Sequence, residues 1–326
     1  MLCISHPNTD AWFNLASEEY VLKNLHEDVF MLWQNHNAIV VGKHQNTLAE
    51  INYDYVKEKD IKVVRRLSGG GAVYHDMGNL NFTFIMNGHA GQMVDFRKFT
   101  RPILDVLNKL GVEALFEGRN DLTINGLKFS GNAEHVYKNR VLHHGTLLFA
   151  SELGTLSNAL QVNPLKFQDK AVKSLRSRVT NISEHLQTKM DVAEFKSRIM
   201  AHIIELYPDA REYTFTDFDL DQIQQLVKEK YATWEWNFGY SPQYDFRKMI
   251  KTSGGFVEYH LNVADGIIKD IRLYGDFFSH RDIKELEVLL RNLPHNEEAI
   301  LNQLKDVNLE EYLHQVTLKE FVSGMF

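Results

Sequence analysis

The stretch RRLSGGGAVYHD, residues 65–76, sets two arginines and a serine before three consecutive glycines and a strand-like AVY. Three glycines in a row weaken any regular element, because glycine loses the most backbone freedom on folding. Their use is bare backbone: unobstructed N–H groups can curl around an anion, and Arg65 or Arg66 can add a charge-assisted contact to phosphate or carboxylate. A flexible link between two strands is the competing reading. The segment fits neither G-x-x-x-x-G-K-[ST], since no Lys-Ser/Thr follows, nor G-x-G-x-x-G, since Tyr74 takes the last glycine position. Those two phosphate-binding mechanisms are disfavoured.

Outward from this loop, apolar runs at VFMLW, AIVVG, IKVVRRL, AVYH, LNFTFIM and VLHHGTLLF read as strands. Several adjoin without a helix between them, so at least part of the sheet is antiparallel. Asp10 can cap a helix over AWFNLASEEYVLKNL, whose Trp12, Leu15, Ala16, Tyr20 and Leu25 fall roughly on one face, predicted to pack on that sheet. A second helix is expected in FTRPILDVLNKLG. After the aromatic segment at 231–246 the pattern restarts: Asp265-Gly266 between two alternating runs signals a two-residue hairpin, and helices follow at HRDIKELEVLLRNL and EEAILNQLKD. This predicts a domain over 1–246 and a small accessory domain over 247–326, with Trp234 and Trp236 packing between them.

The chain has 326 residues, is 44% hydrophobic and 24% charged, and carries a net charge of −7. That balance disfavours a general nucleic-acid or membrane surface, either of which favours a basic face. Any anionic ligand is therefore met locally. Cys3 is the single cysteine, which excludes an intrachain disulfide and points to a reducing compartment. Neither a signal peptide nor an apolar run of about 18 residues is present, so a cytoplasmic protein is expected.

Two further segments carry charge to where an anion could use it. In GRNDLTINGLKFSGNA, residues 118–133, Asn125-Gly126 signals a type I′ hairpin pairing Ile124 with Leu127, Thr123 with Lys128, and Leu122 with Phe129. Its polar face then carries Asp121, Thr123, Lys128 and Ser130. In KSLRSRVTNI, residues 173–182, Lys173, Arg176 and Arg178 lie close together in an otherwise acidic chain, as in a loop able to close over an anion. Alone, each is a solvated charge. Together with the glycine loop they favour a nucleotide or acyl-phosphate site.

These motifs, with HHGTLL at 143–148 and Phe149 after it, resemble those of the lipoate–protein ligase A family. The resemblance covers the chain to about residue 246, and the tail resembles the accessory domain of two-domain members. It implies an α+β fold related to the cores of biotin–protein ligases and class II aminoacyl-tRNA synthetases: a mixed, partly antiparallel sheet with flanking helices, plus a small α/β C-terminal domain. It also implies an activity. ATP and lipoate, with Mg²⁺, are condensed to lipoyl-AMP with loss of pyrophosphate. The lipoyl group then passes to a lysine of an acceptor domain, in a 2-oxoacid dehydrogenase acyltransferase subunit or the glycine cleavage H protein.

By the same resemblance Lys128 is the catalytic residue, and Asp121 is a nucleotide-site residue and a Mg²⁺ ligand. Nucleotide and lipoate binding fall to Arg66, Ser68, Gly69, Gly70, Gly71, Ala72, Val73, Tyr74, Asn79, His144, Gly145 and Arg178. A monomer is expected. As catalytic groups His75, His143 and His144 are set aside, because a histidine in a strand is more often a hydrogen-bonded structural residue. Two rivals are an acyl transferase of the same fold, which needs a nucleophilic cysteine that only Cys3 could supply, and a non-catalytic lipoate or adenylate sensor. Cys3 opens the chain in MLCISHP, where a small hydrophobe is expected.

Overall fold

The computed structural model describes residues 1–88, 95–160, 179–277 and 279–326. The chain divides into two compact units, taken over their described residues. One draws on Met1–Lys43, Asp60–Asn158 and Lys173–Thr233; the other on His44–Lys59, Ala159–Val172 and Trp234–Phe326.

In chain order the strands of the first unit are β1 (Leu2–Ser5), β2 (Val29–Trp33), β3 (Ala38–Val41), β4 (Lys62–Arg65), β5 (Val73–His75), β6 (Asn79–Asn87), β7 (Ala114–Glu117), β8 (Asp121–Ile124), β9 (Leu127–Tyr137), β10 (Arg140–Leu148) and β11 (Arg211–Tyr213). Among the described residues eight of them form one sheet in the order β11-β1-β2-β6-β10-β9-β8-β7. It is mixed: β1 runs parallel to β11 and β2, while every pairing from β2 to β7 is antiparallel. A smaller sheet, β4-β3-β5, holds β3 parallel to β4 and antiparallel to β5. The glycine stretch is the connection from β4 to β5, passing from one flank of β3 to the other.

Side chains alternate across a strand, so the register fixes the chemistry of each face of the main sheet. Phe82 pairs with Leu32 and Gly145, and its neighbour Thr83 with Met31 and His144. One face therefore gathers Phe30, Leu32, Leu80, Phe82, Phe84 and Leu147. The helices Phe96–Lys109 and Val192–Leu206 bury it with Phe99, Ile103, Phe195 and Ile199. At roughly 1.5–3 kcal/mol for each large side chain withdrawn from water, this layer stabilises the unit most. The opposite face presents Asn79, Asn81, Thr83, His144 and Thr146, beneath the helix α1 (Ala11–Asn24).

Asp10 caps α1 as predicted, accepting from the N–H groups of Trp12 and Phe13 at 2.8 and 3.2 Å. The helix is not one-sided, however. It is buried along nearly its whole length, Asn14, Ser17, Glu18 and Glu19 included. The predicted helix at FTRPILDVLNKLG begins at Phe96, where Asp95 caps it, and so takes Pro102 into its interior.

The hairpin turn at Asn125 (φ 52°) and Gly126 (φ 72°) forms, with Ile124 opposite Leu127 and Thr123 opposite Lys128. The expected Leu122–Phe129 pair does not. A β-bulge makes Phe129 the extra residue, so Leu122 faces Ser130 and Asp121 faces Gly131. The shift keeps Leu122, Ile124 and Phe129 together in the core.

In the second unit β12 (Tyr244–Thr252), β13 (Gly255–Ala264) and β14 (Ile267–Gly275) form an antiparallel sheet, with helices Ile283–Leu290, Glu297–Leu304 and Leu318–Ser323. Asp265 (φ 51°) and Gly266 (φ 69°) make the predicted turn. Within this unit Trp234 stacks on Phe238 and Trp236 lies against Tyr240. The segment His44–Lys59 packs here too: Thr47 Oγ1 donates to the Asn237 carbonyl at 2.6 Å and Tyr53 stacks on Phe326. The boundary expected at 246/247 falls within β12.

Among the described residues no helix is long and apolar enough to cross a membrane.

Candidate active site

The glycine stretch is organised around Arg66. Its guanidinium is buried and donates to the carbonyls of Val40 (3.2 Å), Gly69 (2.6 Å) and Gly71 (2.9 Å) and to Ser68 Oγ (3.0 Å). Burial lowers its pKa to about 10, with Glu18 acting the other way. Arg66 thus shapes the loop from inside. Arg65, wholly buried, donates in the same way to the carbonyls of Gly42 and Lys43. Gly70 has φ 93°, a region L-residues rarely adopt, and a Cβ there would lie 2.9 Å from Arg66 Nη2. Gly69 has open space where its Cβ would be. Ala72 and Tyr74 are buried, and Tyr74 donates to Asn37 Oδ1 at 3.1 Å, while Val73 is half-buried.

Ser68 ties this loop to the polar face of the main sheet. Its Oγ lies 2.6 Å from His144 Nε2, and both Glu18 carboxylate oxygens lie 3.0 Å from His144 Nδ1. Thr83 donates to Glu18 at 2.6 Å and accepts from Trp33 Nε1 at 2.9 Å. The tautomer follows from the partners. A carboxylate only accepts, so Nδ1 carries the proton and Nε2 accepts from the Ser68 hydroxyl, whose oxygen receives Arg66 Nε–H. Glycine loop, α1, β6 and β10 are joined by one directed chain of hydrogen bonds.

Lys128 stands on the same face. Its Nζ is 2.7 Å from Asp121 Oδ1, with both side chains about one-third exposed. A Cβ on Gly131 would lie 3.2 Å from that Nζ, and Gly131 shares its side of β9 with Ala133, the partner of His144. The carbonyl of Lys128 accepts from Thr180 N–H at 3.0 Å, tying the hairpin to the end of KSLRSRVTN. Lys173, Arg176 and Arg178 lie outside the described residues.

Two site expectations acquire another reason in the structure. A Cβ on Gly145 would fall 2.2 Å from Asn132 Oδ1 and 2.5 Å from the Phe82 ring, so this glycine is required by packing on the apolar side. Asn79 is fully buried, donates to Asn81 Oδ1 at 2.9 Å, and its own Oδ1 has no partner among the described residues. His143 is structural: its Nδ1 lies 2.9 Å from Glu134 Oε1 and its ring packs on Phe82 and Phe99. Cys3 is buried in the apolar core, which pushes its thiol pKa up, a poor setting for a nucleophile. Sequence reasoning missed Glu18, Thr83 and Trp33. Only the acidic pair inside an otherwise apolar α1 pattern hinted at them.

Residues 10–204 match the model of the lipoyl protein ligase A/B catalytic domain, and residues 241–325 that of the bacterial lipoate protein ligase C-terminus. The chain belongs to the lipoate–protein ligase family. It is 42% identical over 331 residues to the lipoate-protein ligase LplJ of Bacillus subtilis, covering all of both chains. A bipartite lipoate protein ligase of Thermoplasma acidophilum, described with its E2 lipoyl domain, superposes with a TM-score of 0.64 at 29% identity, over 73% of this chain and 95% of that one. A lipoate-protein ligase A bound with ATP gives 0.63 at 26% identity, over 73% and 98%. As a family member the chain is an enzyme of the ligase class.

Proposed function

We propose that this ligase activates lipoate with ATP, giving lipoyl-AMP and pyrophosphate, and then transfers the lipoyl group to the lysine of a lipoyl-acceptor domain. The observation that carries this reading is the ammonium of Lys128 on the polar face of the sheet, the face that also carries the glycine loop's anchor at His144. In the first step the acid's carboxylate oxygen attacks the α-phosphorus, forming the mixed anhydride and releasing pyrophosphate. Negative charge grows on the phosphoryl oxygens as it does so. A preorganised ammonium stabilises that charge more than it stabilises the ground state, which lowers the barrier. In the second step the acceptor amine attacks the acyl carbonyl, the C–O bond to AMP breaks, and Lys128 polarises the carbonyl. The Arg66 clasp holds the loop open-backed for nucleotide and acid, with Gly69 to Tyr74 as its wall.

Asp121 fits Mg²⁺. Its carboxylate is about one-third exposed, and Mg²⁺ is typically held by one or two carboxylates plus substrate phosphates. With ATP bound it would neutralise phosphate charge beside Asp121. The ATP- and E2-associated relatives support nucleotide and lipoyl-domain partners for this chain. The H protein as an alternative acceptor, a monomeric state and a cytoplasmic location complete the proposal.

Lipoate-dependent exchange of labelled pyrophosphate into ATP tests it. Exchange that requires both the acid and Lys128 is expected. Acid binding without exchange would make the protein a sensor, and a lipoyl thioester on Cys3 would make it a transferase.

A further inference from the structure

We propose that the second unit holds a binding site for an organic cation, a guanidinium or alkylammonium group, in the cavity between the Glu235–Gly239 turn and the tip of the β13–β14 hairpin. The inference uses other residues than the ligase reading and does not depend on it.

The cavity measures about 590 Å³, the size of a small-ligand site, and four segments of the second unit close around it. The N–H of Tyr240 donates to the Glu235 carbonyl at 2.7 Å, five residues back, so this turn is π-helical and wider than an α-helical one. The hairpin tip lies directly against it. A Cβ on Gly266 (φ 69°) would fall 2.6 Å from Gly239 Cα and 2.7 Å from the Trp234 ring, so close backbone holds the indole in place. In the loop 292–295 the N–H of His295 donates to the Gly266 carbonyl at 2.7 Å, and the Leu293 carbonyl accepts from Ile268 N–H at 2.9 Å, which sets Pro294 beside the tip. Thr47 N–H donates to Ser241 Oγ at 3.2 Å and ties the His44 segment to the same wall. The cavity is thus built from backbone contacts rather than from long side chains.

The lining says what would enter. Trp234, Ile267, Pro242 and Pro294 make it apolar, and Glu235 and Asp265 make it anionic. Neither carboxylate has a hydrogen-bond or ion partner among the described residues, whereas other acids of this unit are paired, Glu285 with Arg281, Glu287 with Arg272 and Asp270 with Arg291. Two like charges lining one cavity repel each other, and a cation between them turns that repulsion into attraction. An indole adds to it, because the ring face is negative. His44 contributes an imidazole, which when neutral accepts from an N–H. A carboxylate or phosphate would meet both acids. The apolar walls suit a ligand with an alkyl part, which an inorganic ion lacks.

The test titrates the full chain with arginine capped as its N-acetyl methylamide, with the equally capped citrulline, which keeps the shape and removes the charge, and with propylguanidinium, which is the arginine side chain alone. The readout is the indole N–H signal of Trp234 in ¹⁵N-labelled protein, identified by its loss in Trp234→Phe. Capped arginine should shift that signal saturably and capped citrulline should not. Glu235→Gln and Asp265→Asn should each weaken binding roughly 10-fold or more, the scale of one lost hydrogen bond to a charged group. The melting temperature should hold in both, because neither side chain has a partner to lose and asparagine tolerates the positive φ of residue 265. Equal affinity for propylguanidinium and capped arginine would mark a free cation as the ligand; a clear gain for the capped residue would mark a side chain carried on a polypeptide. If citrulline binds as well as arginine, if neither moves the Trp234 signal, or if the two substitutions together leave the affinity unchanged, the carboxylates select no cation and the inference is wrong.

Discussion

His143 and His144 are neighbours on β10 that point to opposite faces of one sheet, and they are used in opposite ways. His143 sits among Phe82, Phe96 and Phe99 with Glu134 for company. His144 links Ser68 of the glycine loop to Glu18 of α1. Both faces are buried, so burial alone does not tell a core from a site. The difference lies in the partners. On one side polar atoms are few and enclosed by aromatic rings. On the other they form a directed chain that joins the glycine loop, α1, β6 and β10.

If that division is right, substitutions on the two sides should separate stability from activity. The largest stability loss is expected for Phe82→Ala on the apolar face, about 3–5 kcal/mol for a fully buried ring. Denaturant titration should show it, while exchange per folded molecule stays near normal. Lys128→Ala should do the reverse. Losing one preorganised donor removes about 3–4 kcal/mol of transition-state stabilisation, read as a fall in exchange rate with little change in melting temperature.

Glu18→Leu should fall between them. It leaves Thr83 Oγ–H and His144 Nδ1–H buried without their acceptor, at a cost of about 1–3 kcal/mol. Freeing His144 should also loosen Ser68 and slow exchange. A variant with full activity and only lower stability would move this chain to the structural side.

The smallest effect concerns pH. Burial lowers His143 to about 3, so its contribution to stability is present above 6.5 and is lost as pH falls from 6.5 toward 3. Burial raises Glu134 to about 7, so its contribution is present below the unfolded value near 4.5 and lost as pH rises toward 7. The two slopes oppose each other between pH 4.5 and 6.5. Glu134→Gln removes the falling one and should make stability climb more steeply with pH over that window, as measured by denaturant midpoints. An unchanged or flatter climb would show that Glu134 does not hold its proton in the folded state.

Much of this was legible in the sequence because it is local. Apolar runs at VFMLW and LNFTFIM marked strands, Asn125-Gly126 and Asp265-Gly266 marked turns, and the run of glycines beside Arg66 marked an unusual loop. What was not legible depends on distant partners. The bulge at Phe129 follows from what the Leu122 side of the hairpin must pack against, which no turn residue reports. Periodicity in α1 registers apolar positions and passes over Asn14 and Glu18, whose value lies in Asn35, His144 and Thr83 on other elements. The grouping of His44–Lys59 with Trp234–Phe326 is likewise a matter of contacts nearly two hundred residues apart in sequence, such as Thr47 with Asn237.

The central claim is that the polar face beneath α1 is where acid and nucleotide are joined. A crystal structure of the full chain with a non-hydrolysable sulfamate analogue of lipoyl-AMP tests it most directly. The account predicts the analogue on the Thr83 and His144 side of the sheet, its acyl carbonyl within hydrogen-bonding reach of Lys128 Nζ and its acyl chain beside Trp33. An analogue bound away from that face, with the Ser68–His144–Glu18 chain and Lys128 untouched, would contradict it.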